Sequence, residues 1–189
     1  MSADSDEADW DRASAGDGDA FGRIFDRYRL RLYRHSYRLV PDRADADDVV
    51  AIAFFEAWRR RESARFVDGS ILPWLLVIAT NSAHNVSRSA RRYRALLAKL
   101  PAAEHSRDHA AGSDNAAWQA LARLSLADRQ VITLCVLDGY SEREAADALG
   151  IAPGTVKSRL SRAKSRLVSH LGSPVGHANP SSKETRNEA

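Results

Sequence analysis

Apolar residues recur along this chain at spacings of three and four, the period of a helix, and nowhere alternate long enough to make a half-buried strand. Phe21, Ile24, Phe25, Tyr28 and Leu32 predict a first amphipathic helix, entered after Asp17 or Asp19 and closed before Pro41. Val49, Val50, Ala53, Phe54, Ala57 and Trp58 form the broad apolar face of a second, with Ile52 and Phe55 on its other side. A loop containing Asp68, Gly69 and Ser70 leads to Pro73 and a long helix, Trp74 to Leu97, that turns polar and basic after Ala79. The apolar period then stops in a run of small and polar residues. Ser125 with Asp128 signals a further helix start ahead of Val131, Ile132, Leu134, Cys135 and Leu137. The pattern predicts an all-α chain: an acidic disordered tail over 1–19, a helical module over 20–98, a flexible linker over 99–117, a second helical module over 118–171 and a disordered tail over 172–189. The second module lies near the lower size limit for an independent core.

The sharpest local signal lies in that second module. Ser141 followed by Glu144 is a capping box, Gly150 supplies a left-handed helix end, and Pro153 fits the first turn of the next helix. Val156, Leu160, Ala163 and Leu167 then share one buried stripe, leaving Thr155, Lys157, Ser158, Arg159, Ser161, Arg162 and Arg166 on the other face. Two short helices joined by a glycine turn, only the second of them basic, outline a helix-turn-helix. From Ile151 to Leu167 there are five Lys or Arg and no acid, which suits phosphate contacts and groove entry.

Charge is distributed unevenly. The net charge is only +3, yet Met1 to Ala20 holds seven acids against one Arg, and no acid occurs from Gly69 to Ala103. A single cysteine, Cys135, excludes an internal disulfide and a multi-cysteine zinc site, as expected of a cytoplasmic protein. No apolar run reaches membrane-spanning length, and the N-terminus is acidic where a signal peptide is basic and then apolar. No P-loop, HExxH or GxSxG pattern occurs, and the six histidines are scattered. No catalytic residue, metal site or cofactor is expected.

Four motifs stand in order: DADDVV…FFEAW, PWLLVIATN…R…RR, a linker, and LSLADRQVI…GYSEREAADALGIAPGTVKSRLSRA. Together they resemble the extracytoplasmic-function sigma factors, compact members of the sigma-70 family that keep only the second and fourth conserved regions. The resemblance covers about Ala20 to Leu171 and implies a dissociable, non-catalytic promoter-recognition subunit of bacterial RNA polymerase. It implies that core polymerase docks on the acidic second helix at Asp45, Asp47, Asp48, Ile52 and Phe55. It implies that the loop matching Glu62 to Ser70 and the helix matching Thr80 to Arg92 capture the melted minus-10 strand, through Phe66, Asn81, His84, Asn85, Arg88, Arg91 and Arg92. Thr80 and Asn85 stand where that pattern commonly has Arg and Asp. Minus-35 duplex contact falls to Thr155, Lys157, Ser158, Arg159 and Arg162, with Arg166 toward the phosphates. Many relatives are restrained by an anti-sigma factor, although no residue here identifies such a partner. Physical chemistry supports these surfaces: carboxylates attract a basic partner, and single strands are held by stacking, amide hydrogen bonds and charge.

Two other readings compete. The helix-turn-helix alone also resembles that of a stand-alone regulator of duplex operators, which leaves the N-terminal half without a role. A helical protein-interaction adaptor with basic faces is the third.

Overall fold

The computed structural model describes residues 5–97 and 116–172. Eight α-helices run in order among these residues: α1 (Asp6–Ser14), α2 (Gly18–Tyr37), α3 (Arg43–Arg59), α4 (Leu72–Leu97), α5 (Ala116–Arg123), α6 (Leu126–Ile132), α7 (Glu142–Leu149) and α8 (Pro153–Gly172). The all-α expectation holds, and an isolated bridge between Val67 and Ser70 is the nearest approach to a strand among them.

Local chemistry starts and stops these helices. Asp17 caps α2 by accepting from the Ala20 N–H at 3.1 Å, and Asp42 caps α3 by accepting from Asp45 at 2.8 Å. Both arms of the Ser141–Glu144 capping box are present, the Glu144 N–H donating to Ser141 Oγ at 3.2 Å and the Ser141 N–H to Glu144 Oε2 at 2.7 Å. Gly150 ends α7 at φ +65°, and Pro153 is the first residue of α8.

α1 to α4 form the N-terminal bundle. Ile24 and Leu32 of α2, Val49, Ala53 and Ala57 of α3, and Leu75, Leu76 and Ala79 of α4 fill its interior. An aromatic cluster closes one end, with Trp10 edge-on to Trp74 at 5.9 Å and Phe21 against Trp58 at 5.2 Å. In the C-terminal module α8 packs across α5, α6 and α7, burying Val156, Leu160 and Ala163 against Val131, Ile132, Ala145 and Ala148.

Three departures from the sequence reading stand out. The stretch expected to be a disordered acidic tail contains α1, which buries Trp10 and Ala13 together with two acids, Asp6 and Asp9. Those acids are neutralised in place: Arg23 and Arg27 donate to Asp9 at 2.8 to 2.9 Å, and Arg27 pairs with Asp6 as well. Beyond α6 the chain widens into a π-helical turn, Thr133–Leu137, its register marked by the Asp138 N–H donating to Thr133 O at 2.9 Å. Finally, the C-terminal module is not an isolated unit, because α6 and α7 rest on α4. Most of the expected linker, and the tail beyond residue 172, lie outside the described residues.

Candidate polymerase and nucleic-acid interfaces

The acidic helix presents the mixed surface expected of it. On α3, Asp47 and Asp48 are exposed, Ile52 is 40% exposed and Phe55 61%. The patch continues onto α2, where Phe25, Leu30 and Tyr37 are also exposed. A shallow cavity of about 250 Å³ lies between the two helices, lined by Phe25, Arg29, Leu30, Tyr33, Asp47, Val50 and Ala51. Asp45 differs from its neighbours: it is half-buried in the first turn of α3, where a carboxylate answers the helix dipole. Exposed apolar side chains of two adjacent helices thus lie together, beside the exposed carboxylates of Asp47 and Asp48.

The residues proposed for the minus-10 strand are only partly assembled. Asn85, Arg88 and Arg92 are exposed along α4, and Arg91 lies on the same helix. Asn81 is half-buried, and its Oδ1 accepts from Gln130 Nε2 of α6 at 2.8 Å. His84 is half-buried as well. Phe66 does not stand free as a stacking platform, because its ring packs against the core. Thr80 is fully buried, and its hydroxyl donates to Leu76 O at 2.9 Å beside the His35 ring. His35 had no place in the sequence reading. It is 2% exposed, with Nδ1 2.7 Å from Asp138 Oδ2 and Nε2 2.9 Å from Thr80 Oγ1, and so joins α2, α4 and the segment after the π turn. A lone histidine in a polar stretch carries no sequence signal for such a junction, whose partners lie 45 and 103 residues away.

The residues predicted for the minus-35 duplex all lie on α8. Lys157, Ser158 and Arg162 are exposed on α8, and Thr155 and Arg159 are half-exposed beside them. Arg166 makes an ion pair within the module. It pairs with Asp128, whose side chain is 5% exposed, and thereby ties α8 to the start of α6. A buried carboxylate needs such a partner, so Arg166 has a structural task here, while its side chain remains 55% exposed. Ser125 does cap α6, accepting from the Asp128 N–H at 3.2 Å, but the Asp128 carboxylate turns to Arg166 instead of completing a box.

Comparison with known proteins matches these two modules in turn. The family model "Sigma-70 region 2" covers residues 24–93, and "Sigma-70, region 4" covers residues 114–167. The chain is 34% identical over 160 residues to the ECF RNA polymerase sigma factor SigM of Mycobacterium tuberculosis, spanning 84% of this chain and 80% of that one. It is 32% identical to the ECF sigma factor BldN of Streptomyces coelicolor, over 88% of this chain and 67% of the relative. Among solved structures, CnrH in complex with the cytosolic domain of CnrY superposes with a TM-score of 0.59 at 27% identity, covering 88% of this chain and 96% of that one. The sigma factor RpoE of Bartonella quintana, in complex with the anti-sigma factor NepR, gives 0.51 at 29% identity, covering 80% and 96%.

Proposed function

From the premise that this chain belongs to the extracytoplasmic-function sigma factors, which direct RNA polymerase to promoters, we propose how its residues divide that work. Asp47, Asp48, Ile52 and Phe55 of α3, with Asp45 at the helix start, form the surface for core polymerase. Asn81, His84, Asn85, Arg88, Arg91 and Arg92 of α4, together with the loop carrying Phe66, hold the displaced minus-10 strand. Thr155, Lys157, Ser158, Arg159 and Arg162 of α8 contact the minus-35 duplex. Core polymerase carries out nucleotidyl transfer and the chain itself is non-catalytic, working in the cytoplasm where polymerase and promoter DNA are found. A partner of the anti-sigma kind, as seen with the Bartonella relative, belongs to the same proposal.

The observation that carries this reading is the presence on one chain of an exposed acidic and apolar helix face and a separate acid-free basic recognition helix. A stand-alone regulator uses the second and has no need of the first. An adaptor has no need of the capping box, glycine turn and basic helix in register.

The test is binding of fluorescently labelled full-length protein to purified bacterial core polymerase, with unlabelled primary sigma factor as competitor. Saturable binding that the competitor displaces is expected, weakened by Phe55→Ala. Promoter binding by the folded protein without core polymerase, and no competition, would instead establish a stand-alone regulator.

A further inference from the structure

Asp6 is placed as no ordinary surface acid would be. It is 5% exposed, and its carboxylate accepts hydrogen bonds from two other parts of the bundle. Oδ1 takes Arg27 Nη1 of α2, while Oδ2 takes the Tyr28 hydroxyl, the Ser70 hydroxyl at 3.2 Å and the Ile71 N–H at 2.9 Å. The last two belong to the joint where the loop of residues 64–70 runs into α4.

That joint lacks a capping acid of its own. α4 opens with no acidic residue in its first turn, and the first N–H groups of any helix have no intrahelical acceptor. Asp6 supplies one from 65 residues away, and Ser70 Oγ supplies another by accepting from the Leu72 N–H at 3.2 Å. Because Ser70 also donates to Asp6, the two caps are tied together. The loop tip is fixed independently: Val67 and Ser70 exchange backbone hydrogen bonds of 2.9 and 3.0 Å around Asp68 and Gly69, both at positive φ, the geometry of a two-residue hairpin turn. A stiff tip on a pinned joint leaves the loop one angle relative to α4.

Covering the core does not require this carboxylate. Trp10 and Ala13 already supply the apolar stripe of α1, and burying a charge is costly unless it is fully partnered. Here the partners are complete. Burial and the Asp6 hydrogen bond push the Tyr28 hydroxyl up to about 12, so it remains a donor throughout the physiological range.

We propose that Asp6 is a positioning residue for promoter opening, fixing the angle at which the loop of residues 64–70 meets the displaced strand. This rests on the reading of that loop and of α4 as the minus-10 strand site. Full-length Asp6→Asn, which keeps the shape and loses the charge, is the test. In the free protein, amide exchange at Ile71 and Leu72 is expected to rise about tenfold while α2 and α3 stay protected. In holoenzyme on a promoter fragment selected from randomised DNA by the wild type, permanganate reactivity of minus-10 thymines is expected to fall by about the same factor. Binding to core polymerase should be unchanged.

Unchanged exchange, or faster exchange with normal opening, would overturn the proposal. Asp9→Asn is the stability control, since Asp9 shares Arg27 with Asp6 while its carboxylate bonds to Arg23 and Arg27 of α2. Should Asp9→Asn impair opening equally, α1 acts through stability alone and the proposal falls. Asn85→Ala separates the underlying reading: normal opening in that variant overturns the strand site and this inference with it, whereas impaired opening beside a normal Asp6→Asn overturns this inference only.

Discussion

At the scale of single residues, position along a helix decides what a charged side chain does. Arg159 and Arg166 lie seven residues apart on the same basic helix, yet one reaches outward near its N-terminal end and the other closes onto Asp128. Arg159→Ala is expected to weaken minus-35 duplex binding by about 1–3 kcal/mol if it reads a guanine, with relaxed preference at that base pair. Equal losses across a base-substitution series would mark a phosphate contact instead. Asp9 gives a pH prediction. Burial alone would raise its pKa, but the hydrogen bonds and charges of Arg23 and Arg27 hold it below the ordinary carboxylate value. A group depressed in the folded state stabilises fully above its unfolded pKa and loses that contribution as pH falls through the folded value. The melting temperature is therefore expected to fall as pH drops below about 4, and Asp9→Asn should flatten that part of the profile.

At the scale of elements, helices are held by contacts from segments distant in sequence, as α8 is by Asp128 of α6. Removing Arg166 leaves the Asp128 carboxylate buried without its partner, so Arg166→Ala is expected to destabilise the C-terminal module by roughly 1–3 kcal/mol. Minus-35 duplex affinity of the folded variant should not change, and a uniform loss of affinity across duplex sequences would mark Arg166 as a phosphate contact. Ser141→Ala removes one arm of the capping box and should cost about 1 kcal/mol by thermal melting. The motif was legible because its partners lie three residues apart. The α1 helix was not, because two of the four buried positions on its inner stripe are acids and hydropathy registers them as polar. The π turn carries no local signature at all: its apolar residues read equally well as α-helix, and the wider register appears only in the structure, where the turn packs against α4 and α7.

At the scale of the whole molecule, the C-terminal module covers part of the surface proposed for the melted strand. Gln130 occupies Asn81, the Asp138 carboxylate holds His35, and Arg65 of the loop extends to Asp147 O at 3.5 Å at the end of α7. The approach is close enough that a Cβ at Gly150 would fall 1.7 Å from Arg65 Nη1. A strand bound at Asn81 would have to displace Gln130 from it. Asp138→Ala removes the partner of both His35 and Arg38, and is expected to lower energy transfer between dyes on the two modules and to raise the affinity of the free full-length chain for single-stranded DNA. Unchanged transfer would show that the Asp138 contact does not hold the modules together.

What the sequence by itself determined was local and periodic: the helical period, the entry to α2 at Asp17 or Asp19, the capping box at Ser141, the turn at Gly150, the basic face of α8 and the exposed position of Phe55. Each depends on residues within a few positions of one another, so spacing is enough to reveal it. Only the tertiary structure decided which polar groups are already spoken for. It turned Asp6 and Asp9 from a charged tail into buried caps and ion pairs, paired Arg166 with Asp128, packed Phe66 against the core and set Asn81 against Gln130. The physical reason is the same throughout: a buried polar group must find a partner, and that partner is chosen by packing across tens of residues, where sequence pattern holds no record of distance.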